Sequence, residues 1–206
     1  MDRVREFQFE RHMSDNEALM WNLEKDPALS SWFASITLLD TTPSIDRLRR
    51  RLGAAVAEIP RLRQRVVPSV GRLSPPMWAD DPQFDLDYHI RRVAVPAPHG
   101  DAELHDLAMR LLLDPFERTR PLWQFVVIEG LQGGRAALFQ KMHHTITDGE
   151  GGVRLAEKFV DLERDAPDAD PVIELDDAPV GEDLVEAARE VVGHNVRRVG
   201  GVAQRV

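Results

Sequence analysis

The sequence predicts an α/β fold in which a mixed β-sheet is flanked by helices. Apolar residues recur at intervals of three or four over residues 45–59, which is the spacing of an amphipathic helix. Two apolar runs typical of strands, 121–129 and 136–142, are joined by a short turn that contains Gly133 and Gly134. The chain has 206 residues and is 43% hydrophobic, which suffices for one domain with its own core.

The first part of the chain predicts a short helix, a strand and a longer helix. Ser14 and Glu17 stand three residues apart in the pattern of a capping box and predict a helix start. Residues 31–40 are rich in aromatic and β-branched side chains and predict a strand. The amphipathic helix then ends before Pro60, because proline has no backbone N–H to continue the helical hydrogen bonds.

The middle of the chain predicts further strands around a second amphipathic helix. A strand is plausible over 61–67, where apolar and basic residues alternate, and the regular alternation of 84–90 predicts a half-buried strand. Asp101 is expected to cap a helix whose apolar positions continue to Leu112. Residues 121–129 are almost continuously apolar, which favours a strand at the centre of the sheet.

Three segments follow from composition and charge. We expect a folded domain over 1–163, an acidic, proline-rich linker over 164–182, and the start of a connecting helix over 183–206. Between residues 163 and 183, nine acidic residues stand against one basic residue, Arg164, so this segment carries −8 of the formal net charge of −9. The last helix has a small apolar face and no evident cap, which suggests a helix that needs a partner.

Composition also disfavours several classes of protein. Cysteine is absent, so no disulfide framework is present and a reducing compartment is compatible. The N-terminal residues lead into no apolar signal region, and no run is long enough to span a bilayer. Nucleic-acid binding calls for a basic face, which the acidic balance does not offer. We therefore expect a cytoplasmic protein.

Eight arginines lie within residues 47–72, and the only acidic residues in or directly next to this stretch are Asp46 and Glu58. They are Arg47, Arg49, Arg50, Arg51, Arg61, Arg63, Arg65 and Arg72. Either they form a solvated helix face and strand edge, or they offer a basic approach for an anionic substrate or a lipid headgroup.

The residues with the clearest chemical potential follow the apolar run that ends at 142. His143 and His144 are adjacent, Asp148 stands four residues after the second histidine, and Gly149 follows it. Histidine takes and returns protons near neutral pH, a carboxylate can orient structure around it, and glycine permits a sharp turn. A strand followed by a polar elbow and then a helix is the predicted setting.

A metal site is the alternative for this elbow, since histidine and aspartate are common ligands. Adjacent residues of a strand point to opposite faces, so His143 and His144 are not expected to bind one ion together. No cysteine is present to complete a thiolate site. We therefore expect no metal.

Residues 143–149 read HHTITDG and match the HHxxxDG signature of CoA-dependent acyltransferases. The flanking segments 60–65, 84–89, 121–123 and 128–131 resemble the bacterial wax ester synthase/diacylglycerol acyltransferase family, and the resemblance covers roughly residues 14–162. It implies a two-layer sandwich with a chloramphenicol acetyltransferase-like fold. Members of that family are about twice this length, so the chain is similar to the N-terminal half.

The resemblance implies an O-acyltransferase that moves a long-chain acyl group from acyl-CoA to diacylglycerol or to a long-chain alcohol. Acyl-CoA would be a co-substrate, no cofactor would be bound permanently, and any contact with membranes or lipid droplets would be peripheral. The C-terminal half would be a partner, and the isolated chain is expected to be inactive. The alternatives are a non-catalytic binding module similar to a condensation domain, or an acyltransferase with another acceptor.

The same resemblance assigns roles within the motif. His144 would be the general base, whereas His143 would serve packing more than proton transfer. Asp148 would be structural, with an arginine partner for which Arg135 and Arg154 are candidates by proximity in sequence. Gly149 would keep the path of CoA open, because any side chain there would obstruct it.

Overall fold

The computed structural model describes residues 11–26, 29–68, 75–147 and 158–159. Its helices are α1 (Asp15–Leu23), α2 (Ile45–Glu58), α3 (Leu86–His89) and α4 (Asp101–Leu113), and its strands are β1 (Trp32–Leu39), β2 (Gln64–Val67), β3 (Met77–Asp80), β4 (Ile90–Ala94), β5 (Trp123–Glu129) and β6 (Ala136–His143). Within these ranges, no helix combines the length and apolar character needed to cross a membrane. The predicted linker over 164–182 and the helix over 183–206 lie outside the described residues.

The main sheet has four strands in the order β1–β6–β5–β4. β6 pairs antiparallel with both β1 and β5, whereas β4 runs parallel to β5. The predicted mixed sheet is therefore confirmed, and β5 and β6 are its interior strands. β2 and β3 pair separately as a small antiparallel sheet.

Both faces of the interior strands β5 and β6 are covered, and the side chains of β5 alternate between them. Val126 and Ile128 pack with the α4 residue Leu104 on one face. Phe125 and Val127 point the other way, toward a core to which α2 contributes. Each fully buried side chain of this kind contributes about 1.5–3 kcal/mol, so the two faces hold the interior strands firmly.

Several predicted elements are confirmed by local hydrogen bonds. The capping box is present, because Ser14 Oγ accepts the Glu17 N–H at 3.3 Å and Glu17 accepts the Ser14 N–H at 2.7 Å. The predicted strand over 31–40 corresponds to β1, and the amphipathic helix corresponds to α2. The turn before β6 includes Gly133, whose φ of 78° favours glycine.

The predicted strand over 84–90 is wrong. Residues 86–89 form the short helix α3, and β4 begins only at Ile90. The side chain of Asp85 accepts the Asp87 N–H at 2.9 Å, which caps a helical turn at the expense of an extended conformation. Alternating hydrophobicity did not reveal this local competition.

Two boundaries also differ from the prediction. The plausible strand over 61–67 is extended only from Gln64, because Pro60–Arg63 form a 3₁₀ turn with proline at a favoured first position. The N-cap of α4 is Gly100 rather than Asp101. Glu103 accepts the Gly100 N–H at 2.9 Å, which completes the start of the helix.

Candidate active site

The histidine elbow begins where β6 ends, and its backbone is bonded to segments next to both neighbouring strands. The His143 N–H donates to the carbonyl of Leu122, just before β5, at 3.0 Å. The His144 N–H donates to the carbonyl of Ser31, just before β1, at 2.8 Å. A turn bond of 3.0 Å from Ile146 N–H to the His143 carbonyl follows. Because β6 is an interior strand, these bonds on both sides fix the backbone positions of His143 and His144.

His143 is buried, with 1% of its surface exposed, and both of its ring nitrogens have partners. The backbone N–H of Thr145 donates to Nδ1 at 3.0 Å, and the Thr145 hydroxyl lies 2.7 Å from the same atom. Because a backbone N–H can only donate, Nδ1 must accept, and the ring proton lies on Nε2. Nε2 donates that proton to Glu24 Oε1 at 2.7 Å. This imidazole has no free nitrogen for substrate chemistry.

Glu24 is the buried acceptor of that bond, and its side chain is 7% exposed. Its Oε1 also accepts the Ser31 N–H at 2.7 Å, and Arg118 Nη1 lies 3.4 Å from Oε2. Burial alone would raise the pKa of the Glu24 carboxyl. The hydrogen bonds from His143 and Ser31 and the charge of Arg118 outweigh burial, so the pKa falls below its ordinary value. The carboxylate is thus held in its charged form.

Arg118 and Trp21 complete the surroundings of His143. The Arg118 guanidinium carbon lies 3.4 Å from the centre of the Trp21 ring, and Nη2 donates to the Trp21 carbonyl at 3.0 Å. The Trp21 and His143 rings are in an edge-to-face arrangement, with centroids 6.3 Å apart. Sequence reasoning missed Trp21, Glu24 and Arg118, because no short-range pattern links α1 to residues more than 90 positions away.

His144 has the opposite environment, since it is exposed and lies on the other side of the strand end. Its ring packs on Phe33 with a centroid distance of 4.7 Å and an angle of 38°. Among the described residues, none hydrogen-bonds to this ring. His143 and His144 therefore have separate partners, as expected for adjacent residues of a strand. Within the described ranges, no group of three or more His, Cys, Asp or Glu side chains is placed to hold a metal ion.

The structure describes only part of the remaining motif. Asp148, Gly149 and the candidate partner Arg154 lie outside the described residues. The other candidate, Arg135, precedes β6 at the far end from the elbow, and its guanidinium binds Asp101 at 3.0 Å. Arg135 is therefore already paired with a carboxylate of α4.

Segments that carried the family resemblance meet in one aromatic cluster beside the elbow. The Trp123 indole donates to the Leu62 carbonyl at 2.6 Å, and its ring stacks on His89 at 4.3 Å. His89 lies between Trp123 and Phe84, with its Nδ1 2.8 Å from the Trp123 carbonyl. Burial lowers the pKa of His89 to about 4, so this imidazole is neutral and structural at neutral pH.

Lys141 is another buried polar residue whose contacts could not be predicted from the sequence. It lies two residues before His143 on β6, is 2% exposed, and donates to the carbonyls of Leu111 and Asp114 at the end of α4. Burial lowers its pKa to about 8. It also lines a cavity of about 230 Å³ with Phe116. Its bonds to terminal helix carbonyls are those of a C-terminal cap.

Arg49, Arg61 and Arg63 of the arginine-rich stretch have identified structural partners. Arg49 pairs with Asp46 at 3.0 Å and Asp87 at 2.7 Å. Arg63 lies 3.4 Å from an Asp80 oxygen. Arg61 is buried over the Trp78 ring at 4.0 Å, and burial lowers its pKa to about 10. For these three, the structure favours packing over an open basic approach.

The described fold is similar to that of a solved acyltransferase and of a solved condensation domain. A wax ester synthase/diacylglycerol acyltransferase from Marinobacter aquaeolei VT8 superposes with a TM-score of 0.62 at 24% identity, covering 88% of this chain and 45% of that one. A variant of the starter condensation domain of rhizomide synthetase, in complex with C8-CoA, superposes with a TM-score of 0.57 at 15% identity, covering 72% and 34%. These likenesses confirm the predicted fold.

The family itself follows from the sequence match. The wax ester synthase/diacylglycerol acyltransferase catalytic domain matches residues 13–206. A Mycobacterium tuberculosis protein named "putative diacylglycerol O-acyltransferase" is 39% identical over 187 residues, which cover 89% of this chain and 37% of that protein. The chain therefore belongs to the wax ester synthase/diacylglycerol acyltransferase family. The chain spans less than half the length of the Mycobacterium tuberculosis and Marinobacter aquaeolei proteins.

Proposed function

We propose that this chain is the N-terminal half of an O-acyltransferase that uses long-chain acyl-CoA and acylates diacylglycerol or a long-chain alcohol. Membership of the family supports the reaction type. The observation that carries the proposal is the contrast within the elbow. His143 is buried with both nitrogens bonded, whereas His144 is exposed on Phe33 and available to a reactant.

In this proposal His144 is the general base. Its ring takes the proton of the acceptor hydroxyl, and that oxygen attacks the thioester carbonyl of acyl-CoA. The carbon–sulfur bond breaks as the ester forms, and the imidazolium returns the proton to the departing CoA thiolate. The acyl group passes directly between two bound reactants, and no acyl-enzyme forms. A well-placed base contributes roughly 10²–10⁴-fold to the rate.

The other motif residues would support this step without transferring protons. His143 would hold the elbow through its bonds to Glu24 and Thr145. The motif positions of Asp148 and Gly149 suggest a structural carboxylate and an unobstructed path for CoA. Acyl-CoA is a co-substrate here, and the proposal needs no permanently bound cofactor.

A second half is part of the proposal. The chain spans 37% of one relative and 45% of another, which leaves room for a further domain in such proteins. That half would form a substrate tunnel together with this chain and would stabilise the oxyanion, so we expect the 206-residue chain to be inactive alone. We also expect a cytoplasmic enzyme with peripheral lipid contact, for which exposed Leu19, Leu23 and Leu113 are suited.

The test is a competition between acceptors in the complete protein. Labelled palmitoyl-CoA is offered with diacylglycerol and hexadecanol together, and thin-layer chromatography separates triacylglycerol from wax ester. Label in either ester supports the proposal and identifies the acceptor. Binding of acyl-CoA without any labelled ester would instead favour a non-catalytic module, and label in an added amine would indicate another acceptor class.

A further inference from the structure

We propose that Glu24 is a positioning residue for the transfer reaction. Its carboxylate joins His143 to Ser31, and these two residues fix the backbone of the base. This inference rests on the proposed function, because it assigns a role in the same reaction. A single oxygen, Oε1, accepts both the His143 Nε2–H and the Ser31 backbone N–H, each at 2.7 Å.

Both groups that Glu24 binds are connected to His144. His143 precedes it in the chain, and the Ser31 carbonyl accepts the His144 N–H at 2.8 Å. The same carboxylate oxygen therefore sets the separation of β6 from the segment before β1 at the point where the base emerges. Glu24 has no bond to the His144 ring, so its effect passes through the backbone.

The Glu24 carboxylate holds His143 and Ser31 rigidly, because it is almost inaccessible to solvent and is bonded at both oxygens. The Glu24 side chain is 7% exposed, and Arg118 Nη1 lies 3.4 Å from Oε2. Charge-assisted hydrogen bonds are roughly twice as strong as neutral ones. The Arg118 guanidinium is itself fixed by the Trp21 carbonyl and ring. Rotation of the carboxylate away from the elbow would leave a buried charge unpaired.

The expected loss of rate on removal of Glu24 follows from a displacement of the base, His144. A displacement of about 1 Å in a catalytic group costs on the order of 10²-fold in rate. Without Glu24, His143 loses its Nε2 acceptor and Ser31 loses the acceptor of its N–H. The elbow then keeps its backbone bonds to the Leu122 and Ser31 carbonyls and the Thr145 contacts with His143 Nδ1. Because Glu24 acts on His144 only through the backbone, the loss should fall on kcat rather than on KM.

The experiment compares three variants of α1 and its end in the complete enzyme. Glu24→Ala removes the oxygen that accepts both bonds and should lower kcat about 10²-fold, with the KM for palmitoyl-CoA changed less than about threefold. Glu24→Gln retains one oxygen for His143 and Ser31 and should recover roughly tenfold of that loss. Glu17→Ala removes the capping box of the same helix but none of these contacts, so its kcat should stay within about threefold of the parent.

A second measurement needs no turnover and uses the 206-residue chain. The His143 ring N–H, buried and bonded to Glu24, should give a downfield proton resonance in slow exchange with water. It should persist in Glu24→Gln and in Glu17→Ala and disappear in Glu24→Ala. All variants are measured at a temperature where circular dichroism shows them folded.

The outcomes separate the two ideas. An active parent whose Glu24→Ala variant keeps its kcat, or whose Glu17→Ala variant loses as much, overturns the positioning role. Retention of the His143 ring proton in Glu24→Ala overturns it as well. A complete parent enzyme that makes no ester contradicts the proposed function itself, even where the ring proton behaves as expected.

Discussion

His89 should make the stability of the domain depend on pH in the mildly acidic range. Its ring is buried and stacked on Trp123 at 4.3 Å, with Nδ1 2.8 Å from the Trp123 carbonyl, to which the ring N–H donates. Burial lowers the pKa of His89 from 6.5 to about 4. The folded protein therefore keeps this imidazole neutral at a pH where an exposed histidine is charged.

The sign and size of the effect follow from proton linkage. Between pH 6.5 and pH 4 the unfolded chain binds a proton at His89 that the folded chain does not bind. The contribution to stability is therefore complete above pH 6.5 and is lost as the pH falls through 4. At about 1.4 kcal/mol per pKa unit, the full loss is about 3 kcal/mol, of which about 2 kcal/mol falls between pH 7 and pH 5.

Urea unfolding of the 206-residue chain at pH 7 and pH 5 measures this loss, and His89→Gln is the matched control. Glutamine can still donate an amide N–H to the Trp123 carbonyl, but it does not titrate. The parent should lose about 2 kcal/mol more than His89→Gln between the two pH values. Equal losses in both proteins would refute the reasoning that burial keeps His89 neutral.

Two further substitutions test the packing around the elbow. Trp123→Phe removes the indole N–H that donates to the Leu62 carbonyl at 2.6 Å. Its free energy of unfolding in urea at pH 7 should fall by about 1–3 kcal/mol, and an unchanged midpoint would argue against a buried bond. Burial lowers the pKa of Lys141 to about 8, so the parent should gain stability as the pH rises from 8 to about 10, where the unfolded chain still holds that proton. Lys141→Met should lack this gain in thermal unfolding, and parallel pH profiles would contradict the desolvation of Lys141.

The elements that the sequence predicted correctly are those with local causes. The Ser14–Glu17 capping box joins residues three positions apart, and α2 repeats apolar residues at helical spacing. The interior strands β5 and β6 are apolar because both of their faces are covered. Where two local causes compete, as at Asp85, the cap prevailed over the alternating pattern and a short helix replaced the predicted strand.

The candidate site was predictable only as far as the motif reaches. Adjacent strand residues point to opposite faces, so separate partners for His143 and His144 could be foreseen. The partner of His143 could not, because Glu24 lies 119 residues earlier and a polar pair across the fold leaves no periodic pattern. The contact between Arg118 and Glu24 could not be predicted for the same reason. The roles of Asp148 and Gly149 stay predictions.

The most direct test of the account is the turnover of His144→Ala in the complete enzyme, measured as the initial rate of ester formation from palmitoyl-CoA. His105→Ala, which removes an exposed histidine of α4, is the control and should keep the parent rate. If His144 is the base, its replacement lowers kcat by roughly 10²–10⁴-fold while the protein stays folded. A folded His144→Ala enzyme that turns over within about threefold of the parent would contradict the assignment of the base.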